Sequence, residues 1–334
     1  MRIKKKATVC SQDATSWEVH RHREALEAVG RCAVEAGSGD VAFNDPTPRR
    51  NLRAVSRLLP TFADRALQRR FRQDGFVCVP LRDPDIPQRI RAVETELGAA
   101  DKTGAWSSLH LDPDARRAAI DDRVTAILWP DLAGRLHDHR PLIASLSLKA
   151  SSGTSTFPVH QDWTTMDERR GLGITCWLPV TPIGPDEGLL RVAPGSHRVV
   201  ACLRGSPHFP TPFDDVRDEI ERDHMVSVAV PVGHVVIMAG RTLHMSGQNR
   251  SGATRIAVTL SAIPSEAEAV HYFREDDGTV SGYGVGPEFF RTLRIGDRPS
   301  GEPFEVLPGY EPDPIDLDRL RRARRRWRVR HHSG

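Results

Sequence analysis

FPVHQDW, residues 157–163, decides how this chain is read. In an extended strand, side chains i and i+2 leave the same face, so His160 and Asp162 project together into whatever that face lines. An imidazole and a carboxylate placed this way are either two ligands of one metal or two polar residues on a wet surface. A single His-x-Asp pair does not choose between them; a third ligand does.

The segment GHVVIMAGRTLHMSGQNRSGATRIAV, residues 233–258, supplies a candidate: His244 stands just beyond an apolar run that ends at Met238. Two histidines and one aspartate on one face leave three positions open on an octahedral metal, the arrangement suited to non-haem Fe(II) oxygen chemistry, with co-substrate and O2 in the open positions. Arg255 follows at the start of the next apolar run. A dicarboxylate co-substrate that chelates iron at one end needs its far carboxylate held, and a planar guanidinium does so with two parallel hydrogen bonds. Alone, Arg255 reads as one more strand residue of an arginine-rich protein.

Around these residues the pattern is β-rich. LIASLSLK (142–149), STFPVH (155–160), ITCWLPV (174–180), LLRVA (189–193), VSVAV (226–230), HVVIM (234–238) and IAVTLSAI (256–263) are short runs separated by Pro and Gly turns. No helix of βαβ length lies between them, so an antiparallel sandwich or barrel is expected. Upstream, FADRALQRRFRQ (62–73) has helical apolar spacing ended by Gly75, FVCV (76–79) suits a buried strand, and IPQRIRAVETELGAA (86–100) carries a stripe of Ile86, Ile90, Val93 and Leu97.

The ordered set RRFRQDGFVCVP, PVHQDW, TCWLPV, DEGLLRVAPGSHR, the 233–258 block and AVHYFREDDGTVSGYGVGPEFF resembles the phytanoyl-CoA dioxygenase family of Fe(II)/2-oxoglutarate oxygenases over about residues 68–310. The resemblance implies a mainly β fold with flanking helices, a double-stranded β-helix of the jelly-roll, cupin-like kind. It implies His160, Asp162 and His244 as iron ligands, and 2-oxoglutarate contacts from Gln161, Trp177, Ser246 and Arg255; Lys149 matches a lysine common in the family. The implied cofactors are Fe(II), 2-oxoglutarate and O2, and the implied reaction is oxidative decarboxylation to succinate and CO2. Related halogenases replace the carboxylate ligand with a small residue, so Asp162 argues for hydroxylation, oxidative cyclisation, desaturation or epoxidation.

Three regions follow: an N-terminal helical extension at 1–58 with a helix at 17–34, an oxygenase domain at 59–312, and a basic tail at 313–334. The tail, RLRRARRRWRVRHHSG from residue 319, reads as solvated and poorly ordered. With 47 basic and 44 acidic residues the chain is nearly balanced, so nucleic acid is an unlikely partner for the fold as a whole. No apolar run approaches the length of a membrane span, and a soluble cytoplasmic protein is expected. Five scattered cysteines without a CxxC argue against a disulfide framework or a zinc-thiolate site.

Other candidates are set aside. His197 and His234 read as turn and sheet-end residues, AGRTLHMSG lacks the P-loop pattern, and there is no G-x-S-x-G elbow. Trp163 could line a substrate pocket or pack outward. The acidic stretch FDDVRDEIERDHM (213–225), inside the long loop 204–225, reads as a solvated helix face; folded over the mouth as a lid it would favour a cationic or polyhydroxylated substrate.

The leading expectation is oxidation of a small molecule, amino-acid-derived or sugar-containing, in specialised-metabolite and antibiotic biosynthesis. The alternatives are a non-catalytic β-fold binding protein using its Arg-rich tail, and a cupin metal enzyme independent of 2-oxoglutarate.

Overall fold

The computed structural model describes residues 59–98, 104–110, 114–151, 155–207 and 209–331, so the extension and helix expected before residue 59 lie outside the described residues. Its strands are β1 (Phe76–Pro80), β2 (Ala105–Ser107), β3 (His139–Lys149), β4 (Phe157–His160), β5 (Ile174–Pro179), β6 (Leu190–Val192), β7 (Val226–Val228), β8 (His234–Ala239), β9 (His244–Ser246), β10 (Arg255–Pro264), β11 (Val270–Arg274), β12 (Val280–Gly284) and β13 (Glu305–Leu307). A six-stranded antiparallel sheet runs β1-β8-β5-β10-β3-β2, and a four-stranded one runs β4-β9-β6-β7.

Period-two alternation divides the six-stranded sheet into two chemically different faces. Ile256, Val258, Leu260 and Ala262 of β10, with Ala144, Leu146 and Leu148 of β3, point to a layer of helices and share one buried cluster with Ile90, Val124 and Leu128. The intervening residues of β10 and β5, among them Arg255, Thr259, Ser261, Thr175 and Trp177, face the other way. There Trp177, Val236 and Met238 pack against Leu190 and Val192 of the four-stranded sheet. Two antiparallel sheets closed face to face make the double-stranded β-helix, and the inner, polar-studded face is where a site can form.

The helices are placed by their ends. Asp64 caps helix Arg65–Asp74, its carboxylate accepting from the amides of Ala66 and Leu67 at 2.7 Å. Gly75 terminates it at φ 85°, where a side chain would meet His197 and Thr242. Helix Asp114–Ala133, 20 residues long, was not legible in sequence because Arg117, Asp121 and Asp131 interrupt its buried face.

The expectation of a poorly ordered tail is corrected: Leu317–His331 is a helix. Leu320 is fully buried with Val159 and Leu243, and Trp327 packs beside the Phe76 cluster. Arg321 pairs with Glu219 and Arg330 with Asp74, so part of the arginine excess fastens the helix to the fold. A further sheet, β11-β12-β13, was also unexpected as a unit.

Candidate active site

His160 ends β4 and His244 begins β9, and antiparallel pairing sets the two residues opposite each other with ring centroids 4.1 Å apart. Asp162 lies just past the strand, where its amide donates to the carbonyl of Gly240 at 2.8 Å. That bond folds the chain back so that ligand atoms of His160, Asp162 and His244 all come within 4.8 Å of one another.

The donors are oriented as metal ligands need to be. Nδ1 of His160 lies 2.7 Å from the carbonyl of Pro158, and Nδ1 of His244 lies 2.9 Å from that of Thr242. A carbonyl can only accept, so each Nδ1 carries the proton and each Nε2 presents its lone pair. Burial, with His244 adding to it, holds the His160 imidazole down to about 4, which keeps it neutral. Thr175 donates its hydroxyl to Oδ2 of Asp162 at 2.6 Å. Sequence reasoning missed Thr175, although its place two residues before Trp177 on the same strand face was the available signal.

A cavity of about 160 Å³ runs along the inner face and is lined by the triad, Trp177, Ser246 and Arg255. Arg255 is 3% exposed and donates to the carbonyl of Gly188 at 2.7 Å, with its guanidinium 5.2 Å from the Trp177 ring. Among the described residues no carboxylate is within ion-pair distance of it. Burial lowers it only to about 10, so it remains a cation at neutral pH. A buried, unpaired guanidinium costs several kcal/mol on the order-of-magnitude scale for desolvated ions, and an anionic group in the cavity offsets that cost.

Two expected contacts are placed differently. Gln161 is 8% exposed, but its amide donates to the carbonyls of Val200 and Arg241 while its oxygen accepts from Cys202, so its polar atoms brace the loops. Lys149 faces Arg255 across the β3–β10 pair and donates to the carbonyls of Ser246 and Gly247 at 2.9 and 2.6 Å. Burial, and then the charge of Arg255, draw Lys149 down to about 7. It holds the turn after β9 and does not line the cavity.

A second cavity of about 370 Å³ also opens on His160 and Asp162 and is walled by Trp163, Leu142, Phe290, Leu293 and Ile295. Trp163 therefore lines a pocket, as one reading of the sequence had it. Its ring also meets His271 edge-on at 5.1 Å. Arg117 fixes two walls at once, donating to the carbonyls of Leu109 and Leu293 at 2.7 and 3.0 Å. The loop beneath is locked by a buried bidentate pair, Arg204 to Glu168 at 2.6 and 2.9 Å, with Arg204 also donating to the carbonyl of Asp162. The acidic stretch 213–225 lines neither cavity: Phe213 and Ile220 are buried beside Leu320, and Glu219 meets Arg321. His197 bonds the carbonyl of Arg72, outside the metal cluster.

A jelly roll carrying two histidines and a carboxylate within reach of one ion defines the class of mononuclear non-haem iron oxygenases. The family model described as phytanoyl-CoA dioxygenase (PhyH) matches residues 9–257, well over half of the chain, and the chain belongs to that family. It is an Fe(II)- and 2-oxoglutarate-dependent dioxygenase, using Fe(II), 2-oxoglutarate and O2. The match includes residues assigned above to an N-terminal extension.

Among its relatives is dioxygenase trt7 of Aspergillus terreus (strain NIH 2624 / FGSC A1156), 25% identical over 240 residues that cover 64% of this chain and 78% of that protein. Similar solved structures include the non-haem α-ketoglutarate-dependent carbocyclase SnoK from nogalamycin biosynthesis, at 21% identity and TM-score 0.45, covering 74% of this chain and 99% of that one. The epimerase SnoN in complex with Fe3+, α-ketoglutarate and nogalamycin RO matches at 21% identity and TM-score 0.45, covering 72% and 98%. Among the described residues no helix is long and apolar enough to cross a membrane.

Proposed function

We propose that His160, Asp162 and His244 hold the iron and that the chain hydroxylates or oxidatively cyclises a small molecule in specialised metabolism. The observation that carries this reading is the cavity shared by the His-Asp-His donor set and a buried guanidinium that has no carboxylate partner among the described residues. The residues fit the group: two imidazole nitrogens and one carboxylate oxygen suit Fe(II), and the sites they leave free suit a chelating keto acid.

Bound there, Fe(II) supplies the redox chemistry that couples O2 reduction and decarboxylation of 2-oxoglutarate to oxidation of a substrate C–H bond. The protein's own part is positional. Arg255 grips the distal carboxylate of the co-substrate, and the Ser246 hydroxyl donates to the same group. Trp177 keeps water from that end of the cavity and stacks under the guanidinium. Thr175 holds one oxygen of Asp162 and leaves the other for the metal.

Anaerobic titration with Fe(II) and 2-oxoglutarate tests the assignment through the weak visible charge-transfer band of the chelate. The band is expected in the wild type and absent in His160→Ala, and it should need far more 2-oxoglutarate in Arg255→Ala. A folded, metal-loaded protein with no band would overturn the site assignment.

A further inference from the structure

The larger cavity has a chemical character of its own. Its walls are mostly aliphatic and aromatic, among them Trp163, Phe290, Leu142 and Ile143. Among the described lining residues the only ionisable groups are His160 and Asp162, which the proposed metal site uses. The hydroxyls that reach it divide in two. Three have partners: Thr175 donates to Asp162, Thr259 is bonded to Ser145 at 2.6 Å, and Ser107 accepts from the amide of Leu109 at 3.3 Å. Thr165 and Ser261 line the same cavity and have no side-chain partner among the described residues.

We propose that this cavity takes a neutral, chiefly hydrocarbon substrate of fused-ring size, which offers hydroxyl or carbonyl groups to Thr165 and Ser261, and that it rejects carboxylates and ammonium groups. The inference rests on the iron and 2-oxoglutarate reading of the adjoining site. About 370 Å³ lies at the lower end of the range for small-molecule pockets, roughly 300–1,000 Å³, and suits three or four fused rings. A charged group carried in would lose its hydration and meet no counter-ion, whereas a neutral hydroxyl finds two free hydroxyls. This departs from the amino-acid-derived or sugar-containing substrate expected from the sequence: a zwitterion has no counter-ions on these walls beyond the proposed metal ligands, and a sugar carries more hydroxyls than the few polar groups on a mostly apolar lining can satisfy.

The test uses three fluorescent probes on one tricyclic skeleton, 9-anthracenemethanol, 9-anthracenecarboxylate and 9-(aminomethyl)anthracene, titrated into the full chain loaded with Fe(II) and 2-oxoglutarate under argon. The alcohol is expected to bind at least tenfold more tightly than either ion and to perturb the chelate band. Ile295 is 62% exposed at the rim, so Ile295→Asp can be made without opening the core, with circular dichroism and thermal melting reporting the fold. That variant should weaken the alcohol and reverse its advantage over the amine. Equal or tighter binding of the carboxylate or amine to the wild type overturns the proposal, as does failure of all three to bind. Loss of the chelate band before any probe is added is a different result, which counts against the iron and 2-oxoglutarate site itself.

Discussion

Thr175 and Asp162 form a pair in which one hydroxyl decides which carboxylate oxygen is free: Oδ2 accepts from Thr175 at 2.6 Å, while Oδ1 lies 3.7 Å from Nε2 of His244. Partners behind a metal ligand fix its orientation, and their loss costs about 10–100-fold in metal affinity. Thr175→Val should therefore weaken Fe(II) binding within that range, measured by competition with a chromogenic chelator, and Thr175→Ser should restore most of it. Wild-type affinity in the valine variant would show that the carboxylate is held by other means.

Arg255 should govern affinity for the co-substrate more than the rate once it is bound. A charge-assisted hydrogen bond contributes about 1.5–3 kcal/mol, so Arg255→Gln should raise KM for 2-oxoglutarate about 10–100-fold. Arg255→Lys keeps the charge and loses the planar fork, and should fall between the two. Steady-state kinetics at saturating substrate separates KM from kcat. An unchanged KM in the glutamine variant would remove Arg255 from the site.

The Arg204–Glu168 pair is a matter of stability. Both side chains are buried, at 6% and 2% exposure, and removing one partner of such a pair costs about 3–5 kcal/mol because the other charge is left alone. Urea denaturation of Glu168→Gln should show a loss of that size. The double variant Glu168→Leu/Arg204→Met should recover much of it, and equal destabilisation in both would contradict the account.

His271 is fully buried against Trp163 and Phe289, with Nε2 3.0 Å from the Ser206 hydroxyl, and burial lowers it to about 4. As pH falls below 6.5 the unfolded chain protonates this histidine while the folded chain does not. The stability it contributes is therefore present above 6.5 and is lost as pH falls toward 4. Between pH 7 and 5 the wild type should lose about 2 kcal/mol more than His271→Phe, measured by urea denaturation at each pH. Parallel losses would mean that His271 does not titrate with unfolding.

What could be read from the sequence depended on whether chemistry and periodicity coincided. Strands such as β5 and β10 declared themselves because apolar residues recur every second position, and the His-x-Asp pair with the distal histidine stood out against that background. Helix Asp114–Ala133 did not, since three of its buried positions are Arg117, Asp121 and Asp131, whose partners Leu293, Ala144 and Arg82 lie far along the chain. The terminal helix was obscured in the same way: its arginines hide a short apolar contact made by Leu320 and Trp327. Gln161 was expected among the co-substrate contacts from its place between two ligands; it lines the larger cavity with them, but its amide is engaged by Val200, Arg241 and Cys202, partners that lie far along the chain.

One consequence follows from the two histidine contacts. His160 and His244 each set Nδ1 against the carbonyl two residues before it, in Pro158 and Thr242. Ring tautomer and tilt are thus properties of each short segment, established when its own backbone takes shape and independent of the rest of the barrel. Distant substitutions can alter the spacing between the two rings, but neither ring relies on a remote side chain for its direction. Drift elsewhere in the sequence could then reshape the substrate cavity while leaving the donor geometry unchanged.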